Sequence, residues 1–218
     1  MAASMPLRPG DRAPDFALFS VQDGRTVSLA DYRGRSALLL GLFTGLYCPF
    51  CRRALVQMSD SSAKLKPLGI ESLAVVATDL ENARLYFKFR PTRLSLAADP
   101  DLATHRSYGV PRVELTPEVK QALAEVRINP GGELPQPLPV EEAFAALDRL
   151  DRVAGFEPTA SDHRDLDRQY GQVKGQFMID RDGVVRWANI EGAHGLEGIG
   201  KFPTYEELLA AAEVNALR

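Results

Sequence analysis

The chain has 218 residues, enough for one well-buried domain, and its composition of 45% hydrophobic and 25% charged residues is typical of a folded globular protein. A formal net charge of −3 gives no basic field for nucleic acid or an anionic membrane. The longest apolar run near the start, residues 37–43, is too short to span a bilayer, and residues 1–11 lack the apolar core of a signal peptide. We therefore expect a cytoplasmic protein without nucleic acid or membrane partners.

The first predicted elements are a hairpin and a buried strand. Two short apolar stretches within residues 16–28 flank a turn signal at Asp23-Gly24. The continuous apolar run at residues 37–43 is typical of a central strand that is covered on both faces.

A helix and a second buried strand follow. Apolar residues recur at helical spacing over residues 49–66, until Pro67 and Gly69 end the helix. Residues 72–77 form another apolar run. A strand, a helix and a strand of these lengths predict a right-handed βαβ unit. A helix at 82–89, a strand at 94–98 and a helical turn over 99–108 continue the alternation, which favours an α/β fold.

Residues 111–170 interrupt this alternation. Helices are predicted at 118–126 and 141–152, on either side of a loop rich in proline and glycine at 129–139. The stretch has too few apolar residues for a core of its own, so we interpret it as an insertion in a single domain that comprises residues 1–218. We expect it to cover the active site or to form the surface of a homodimer.

The last predicted elements are a second hairpin and a terminal helix. The hairpin extends over residues 177–187 and turns at Asp182-Gly183. The helix begins near Tyr205, where Thr204 and Glu207 have the spacing of a capping box.

The two cysteines of the chain lie three residues apart, in the sequence Cys48-Pro49-Phe50-Cys51 directly after the first buried strand. A structural zinc site would need two more ligands, and the three histidines lie far downstream without ligand spacing. The chain also has no glycine-rich phosphate loop, so we expect neither a metal nor an organic cofactor. This use of cysteine favours redox chemistry.

The position of Cys48 favours its reactivity. A free thiol has a pKa of about 8.5 and attacks only as the thiolate. The positive end of the helix that begins here, with its free N–H groups, favours the thiolate, and Pro49 suits the first helical turn. Arg52 and Arg53 would add positive charge, although a solvated helix face explains Arg53 equally well. Cys51 lies one turn further on the same side, where it can close a disulfide with Cys48 or simply be a small buried side chain.

Four segments resemble those of one protein family. They are Gly10-Asp11-Arg12-Ala13-Pro14-Asp15-Phe16, residues 42–53, Asp99-Pro100 with Tyr108-Gly109-Val110, and residues 177–185. Together they are similar to the peroxiredoxin-like (AhpC/TSA) branch of the thioredoxin-like superfamily, over roughly two-thirds of the chain. The resemblance implies a thioredoxin-like fold, with a central mixed β-sheet flanked by helices.

The same resemblance implies an antioxidant thiol peroxidase. Cys48 would attack a hydroperoxide, and Cys51 would then form a disulfide with it. A thioredoxin- or glutathione-type reductant would restore the two thiols.

The site also departs from the family's pattern. Gly41 and Gly45 stand where the family has a proline and a threonine, and Thr44, one residue earlier, is our candidate to bind the peroxide. Lys174 takes the place of an arginine and keeps its charge without the planar, two-pronged donor. Tyr47 matches an aromatic residue that often precedes the cysteine, and it either shapes the pocket or packs.

Two other functions stay open. The spacing of the cysteines favours a thiol–disulfide oxidoreductase that acts on protein disulfides, but the segment Lys174-Gly175-Gln176 lacks the proline that thioredoxins have there. A non-enzymatic redox sensor or binding module is the second alternative. We expect His105 and His194 to be core or surface residues and not catalytic bases.

Overall fold

The computed structural model describes residues 5–214. The strands are β1 Ala17–Ser20, β2 Thr26–Ser28, β3 Ala37–Phe43, β4 Ile70–Val76, β5 Ser95–Ala98, β6 Arg127–Ile128, β7 Leu138–Pro139, β8 Gly175–Ile179 and β9 Val185–Ile190. The helices are α1 Pro49–Leu65, α2 Leu80–Phe89, α3 Ala103–Ser107, α4 Pro117–Glu125, α5 Val140–Val153, α6 Ala160–Gln169 and α7 Tyr205–Val214.

A mixed sheet of seven strands organises the described residues, in the order β2-β1-β5-β4-β3-β8-β9. The interior strand β3, next to the central strand β4, is parallel to β4 and antiparallel to β8. Every residue of β3 is buried, because its side chains pack into a separate apolar cluster on each face of the sheet. The predicted α/β fold with a central mixed sheet flanked by helices is therefore confirmed.

The first half of the chain follows the prediction closely. β1 and β2 form the expected antiparallel hairpin, β3 matches the predicted strand residue for residue, and α1 begins at Pro49. β4, α2 and β5 lie within two residues of their predicted positions. β3, α1 and β4 are the predicted βαβ unit, with its two strands parallel.

The late elements also agree with the prediction. β8 and β9 pair as an antiparallel hairpin around a turn in which Gly183 has a φ of +79°, a conformation that glycine adopts without strain. At the start of α7, the backbone N–H of Thr204 donates to the Glu207 carboxylate, and the backbone N–H of Glu207 donates to the Thr204 hydroxyl. The predicted capping box is thus confirmed.

Residues 111–170, called the 111–170 segment below, contain more structure than the sequence indicated. α4 and α5 were predicted, but α6 and the small antiparallel pair of β6 and β7 were not. The segment packs on the helix that carries the cysteines: Phe144 of α5 contacts the ring of Phe50 edge to face, with ring centroids 5.6 Å apart. It therefore lies close to the candidate site.

None of the helices within residues 5–214 is long and apolar enough to cross a membrane.

Candidate active site

Cys48 lies in the turn between the carboxyl end of β3 and the start of α1. It is the N-cap residue of α1, with an extended backbone, and Pro49 occupies the first helical position. The backbone N–H of Cys51 points at the Sγ atom of Cys48 from 3.4 Å. Because the first N–H groups of a helix have no partner within the helix, a sulfur at this position accepts one of them and lies at the positive end of the helix.

The pKa of Cys48 is lowered to about 6. Burial by itself would raise it, but the thiol of Cys51, the positive charge of Lys174 and the N–H of Cys51 together outweigh burial, while the charge of Glu191 opposes them. This shift favours the thiolate of Cys48, which is the reactive form, near neutral pH. The residue is 9% exposed.

Cys51 differs from Cys48 in both burial and charge. It is 1% exposed, and its Sγ atom lies 3.0 Å from the hydroxyl oxygen of Thr44. Burial raises the pKa of Cys51 well above its usual value, and the neighbouring Cys48 sulfur raises it further. Cys51 is therefore a neutral thiol. Thr44, our candidate for binding peroxide, contacts this second cysteine in the structure.

Lys174 and Glu191 form a buried ion pair beside the cysteines. Lys174 directly precedes β8 and Glu191 directly follows β9, so the hairpin brings them together; their side chains are 2% and 8% exposed. The Glu191 carboxylate also accepts the backbone N–H groups of Lys174, at 3.0 Å, and of Gly200, at 2.7 Å. Burial alone would lower the pKa of Lys174, but Glu191 and both cysteines raise it above its usual value. Lys174 is therefore a buried cation that lowers the pKa of Cys48. The sequence gives no signal for its partner, Glu191.

Arg52 has partners other than the thiolate. Its guanidinium donates to Asp151 at 2.8 Å, to Asp148 at 2.9 Å and to the carbonyl oxygen of Leu46 at 2.7 Å. It also lies 4.0 Å from the centre of the Phe156 ring. Its charge is therefore balanced by carboxylates of α5. From its position on α1, the side chain of Arg52 links the turn before Cys48 to the 111–170 segment.

Arg53 also forms ion pairs with the 111–170 segment. It is 8% exposed and pairs with Asp151 and Glu133 at 2.9 and 2.8 Å. This excludes the alternative of a solvated helix face.

Tyr47 packs over the glycine that replaces the family's threonine. A Cβ atom on Gly45 would lie 2.8 Å from the ring of Tyr47 and 3.0 Å from the Cβ of Asp165. Gly41 is crowded as well, since a Cβ there would lie 2.7 Å from the sulfur of Met58. A larger residue at either position would therefore require neighbouring side chains to move.

Two of the three histidines differ sharply in exposure. His105 is fully buried in α3, and His194 is exposed in the loop after β9. The part of the chain that the structure describes holds no cluster of three or more histidine, cysteine or acidic side chains that could bind a metal ion.

Comparison with known families shows which family the chain belongs to. A model of the AhpC/TSA family matches residues 9–188, which include both cysteines and Lys174. The chain belongs to the AhpC/TSA family. The resemblance seen in the sequence is thereby confirmed.

Two curated relatives of this AhpC/TSA protein carry different names. One, from Mycobacterium tuberculosis, is named "Putative peroxiredoxin" and is 28% identical over 109 residues, which are 50% of this chain and 68% of that protein. The other, named thiol-disulfide oxidoreductase ResA, from Halalkalibacterium halodurans, is 27% identical over 126 residues, which are 57% of this chain and 70% of that protein.

The fold itself is shared with solved thioredoxin-like structures. The peroxidoxin BcpB from Mycobacterium tuberculosis superposes with a TM-score of 0.58 and 13% identity, over 99% of each chain. At this identity the likeness concerns the thioredoxin-like fold alone.

Proposed function

We propose that this AhpC/TSA protein is a thiol peroxidase in which Cys48 attacks the hydroperoxide and Cys51 resolves the oxidised cysteine. One observation carries the proposal. The Sγ atom of Cys48 lies at the N-cap of α1, 3.4 Å from the N–H of Cys51, while its partner Cys51 is buried and contacts Thr44. The pair therefore offers one thiolate and one neutral thiol on a single helical turn.

The first step oxidises Cys48. Its thiolate attacks the terminal oxygen of the hydroperoxide, an S–O bond forms and the O–O bond breaks. The other oxygen takes up a proton from solvent water and leaves as an alcohol or water. The sulfur loses two electrons and becomes a sulfenic acid. The N–H of Cys51 and the cation of Lys174 stabilise the anionic nucleophile.

The second step uses the thiol of Cys51. Its sulfur attacks the sulfenic sulfur, an S–S bond forms, and the hydroxyl group leaves with the thiol proton as water. A thioredoxin- or glutathione-type dithiol or thiol pair then reduces the disulfide. Because Cys51 stays neutral until that point, it adds no negative charge of its own to the buried site.

Exchange with protein disulfides is the second candidate function. Two cysteines on one helical turn can attack a disulfide and then release it, and the relative named thiol-disulfide oxidoreductase is compatible with this. However, disulfide exchange depends on access to the attacking sulfur, and Cys48 is only 9% exposed. This limited exposure favours a small oxidant.

The test is the rate at which hydrogen peroxide oxidises Cys48 in stopped flow. We expect a rate constant far above that of free cysteine, lost in Cys48→Ser. In Cys51→Ser, the sulfenic acid should persist and react with dimedone, as seen by mass spectrometry. A rate like that of free cysteine, together with rapid reduction of a disulfide peptide, would favour exchange instead.

If both activities were absent while the disulfide still formed and titrated, the protein would be a redox sensor or binding module. The antioxidant role and the cytoplasmic location are likewise proposals, which peroxide sensitivity of a deletion strain and cell fractionation would test.

A further inference from the structure

The parallel ladder between β3 and β4 is interrupted one step before the active-site turn. The N–H of Ala77, just after β4, donates to the carbonyl oxygen of Phe43 at 3.1 Å, which is a normal parallel rung. In that pattern the next hydrogen bond would join the N–H of Gly45 to the carbonyl oxygen of Ala77. The structure has no such bond; the N–H of Gly45 instead donates to a side chain.

That side chain is Gln169, the last residue of α6. Its Oε1 atom accepts the N–H of Gly45 at 2.8 Å, and its Nε2 atom donates to the carbonyl oxygen of Ala77 at 2.5 Å. A carboxamide offers the same acceptor and donor as a peptide group. The side chain of Gln169 is therefore inserted into the ladder as a substitute peptide, which satisfies both strands and holds them apart.

The positions of both cysteines depend on the backbone that Gln169 holds. The carbonyl oxygen of Gly45 accepts the N–H of Cys48 at 3.2 Å. The adjacent residue, Thr44, contacts the sulfur of Cys51 at 3.0 Å. A Cβ atom on Gly45 would lie 2.8 Å from the ring of Tyr47 and 3.0 Å from the Cβ of Asp165, so this turn is closely packed.

Gln169 is itself held firmly. It is 1% exposed, and α6 begins at a capping box between Thr159 and Asp162. Asp162 also accepts the side-chain amide of Asn82 at 3.0 Å, which ties the start of α6 to α2. The glutamine therefore transmits the position of α6 to the ends of β3 and β4.

We propose that Gln169 is a positioning residue for the Cys48–Cys51 pair. Its side chain replaces one hydrogen bond between β3 and β4 and thereby fixes the position of the turn that joins β3 to α1, in which Cys48 lies. This deepens the proposed function, since it assigns to a residue of the 111–170 segment the geometry on which the thiolate depends.

The test uses two uncharged variants. Q169A removes the spacer, so that Gly45 can bond directly to Ala77 and draw the turn toward β4. Q169M keeps most of the volume but neither hydrogen bond. Asp167→Ala is the matched control, because Asp167 is exposed on the same helix.

The readouts are the pKa of Cys48 and the reduction potential of the disulfide. The pKa comes from the pH dependence of alkylation by iodoacetamide, in a Cys51→Ser background so that one thiol reacts; the potential is measured with both cysteines present. In both variants we expect the turn to shift and move the Cys48 sulfur away from the N–H of Cys51 and from Lys174. Because both groups favour the thiolate, the alkylation midpoint should move upward by about one pH unit. The potential should also change, and a crystal structure of Q169A should show the N–H of Gly45 bonded to Ala77.

The outcomes separate this proposal from the proposed function. The pKa of Cys48 exists whether or not the wild-type protein reduces peroxide, so a slow peroxide reaction would leave the role of Gln169 standing. Folded variants with the wild-type pKa and potential would overturn it. Failure of both variants to fold, while Asp167→Ala folds, would also overturn it, because Gln169 would then serve folding.

Discussion

At the scale of single residues, the charges around Cys48 are finely balanced. When Cys48 is ionised, one buried cation, Lys174, faces two anions, the thiolate and Glu191. Lys174 lowers the pKa of Cys48 and Glu191 raises it. The ion pair therefore remains neutral after oxidation removes the thiolate, and the reduced site carries one excess negative charge.

Removing the buried pair should make Cys48 less acidic. The double variant Lys174→Met with Glu191→Gln avoids leaving either charge unpaired. Because an opposite charge nearby typically shifts a pKa by about one to three units, we expect the alkylation midpoint of Cys48 to rise by about one unit. Lys201→Met, an exposed lysine in the loop before α7, is the control. An unchanged midpoint in the folded double variant would show that the attraction between Lys174 and the thiolate does not exceed the repulsion by Glu191.

Glu191 illustrates which part of the site the sequence does not reveal. The cysteines and Lys174 could be selected from spacing and family resemblance, but the partner of Lys174 depends on the register of the β8–β9 hairpin. Ile179 pairs with Val185 whereas Met178 pairs with Trp187, so a bulge shifts the register by one residue. A regular hairpin would set Lys174 opposite Ile190. Since a slip of one residue also exchanges the faces of a strand, the ion pair could not be predicted.

At the scale of secondary-structure elements, α6 shows a different limit. Apolar residues at helical spacing are the sequence signal for a helix, but the buried residues of α6 are Asp162, Asp165 and Gln169. Their spacing of three and four residues is helical, although their chemistry is polar. The capping box of Thr159 and Asp162 was a signal that could have revealed the helix. The apolar periodicity that usually indicates a helix is missing from α6 because its buried face contacts the active-site turn through polar side chains and does not pack on an apolar core.

The contact between α1 and α5 yields a prediction about the 111–170 segment. Asp151 accepts hydrogen bonds from both Arg52 and Arg53. In Asp151→Ala these two largely buried guanidiniums lose a shared partner, which we expect to cost about 3 kcal/mol of unfolding free energy. Because Arg52 also holds the carbonyl oxygen of Leu46, the alkylation rate of Cys48 should change as well.

Urea unfolding, limited proteolysis and iodoacetamide kinetics would measure these effects. Proteolysis of Asp151→Ala should begin within residues 111–170. Arg149→Ala, an exposed position on the same helix, should behave like the wild type. Wild-type stability and protease resistance in Asp151→Ala would mean that the ion pairs contribute nothing to holding α5 on α1.

At the scale of the whole molecule, the sheet carries apolar clusters on both faces, and water is excluded from much of the interior. His105, in α3, is fully buried in this protein. Neither ring nitrogen has a hydrogen-bond partner among the described residues. Burial lowers the pKa of His105 from 6.5 to about 4; Asp99 opposes this shift and Arg106 adds to it. The histidine is therefore neutral in the folded protein, which makes the stability of the fold depend on pH.

The sign of this dependence follows from the lowered pKa. Above about pH 6.5 His105 is neutral in the folded and the unfolded states, so it does not change the free energy of unfolding. Below about pH 6.5 the unfolded chain binds a proton on this residue, whereas the folded protein does not, and the unfolded state is stabilised. Between about pH 7 and about pH 5 the folded state should therefore lose about 2 kcal/mol through His105. Urea unfolding at both values would measure the loss in the wild type and in His105→Leu, and the difference between the two isolates this residue from the carboxylates. The exposed His194→Gln should retain the wild-type loss. Equal pH dependence in His105→Leu and the wild type would show that His105 is protonated in the folded protein, and its environment would then have to supply a partner for the charge.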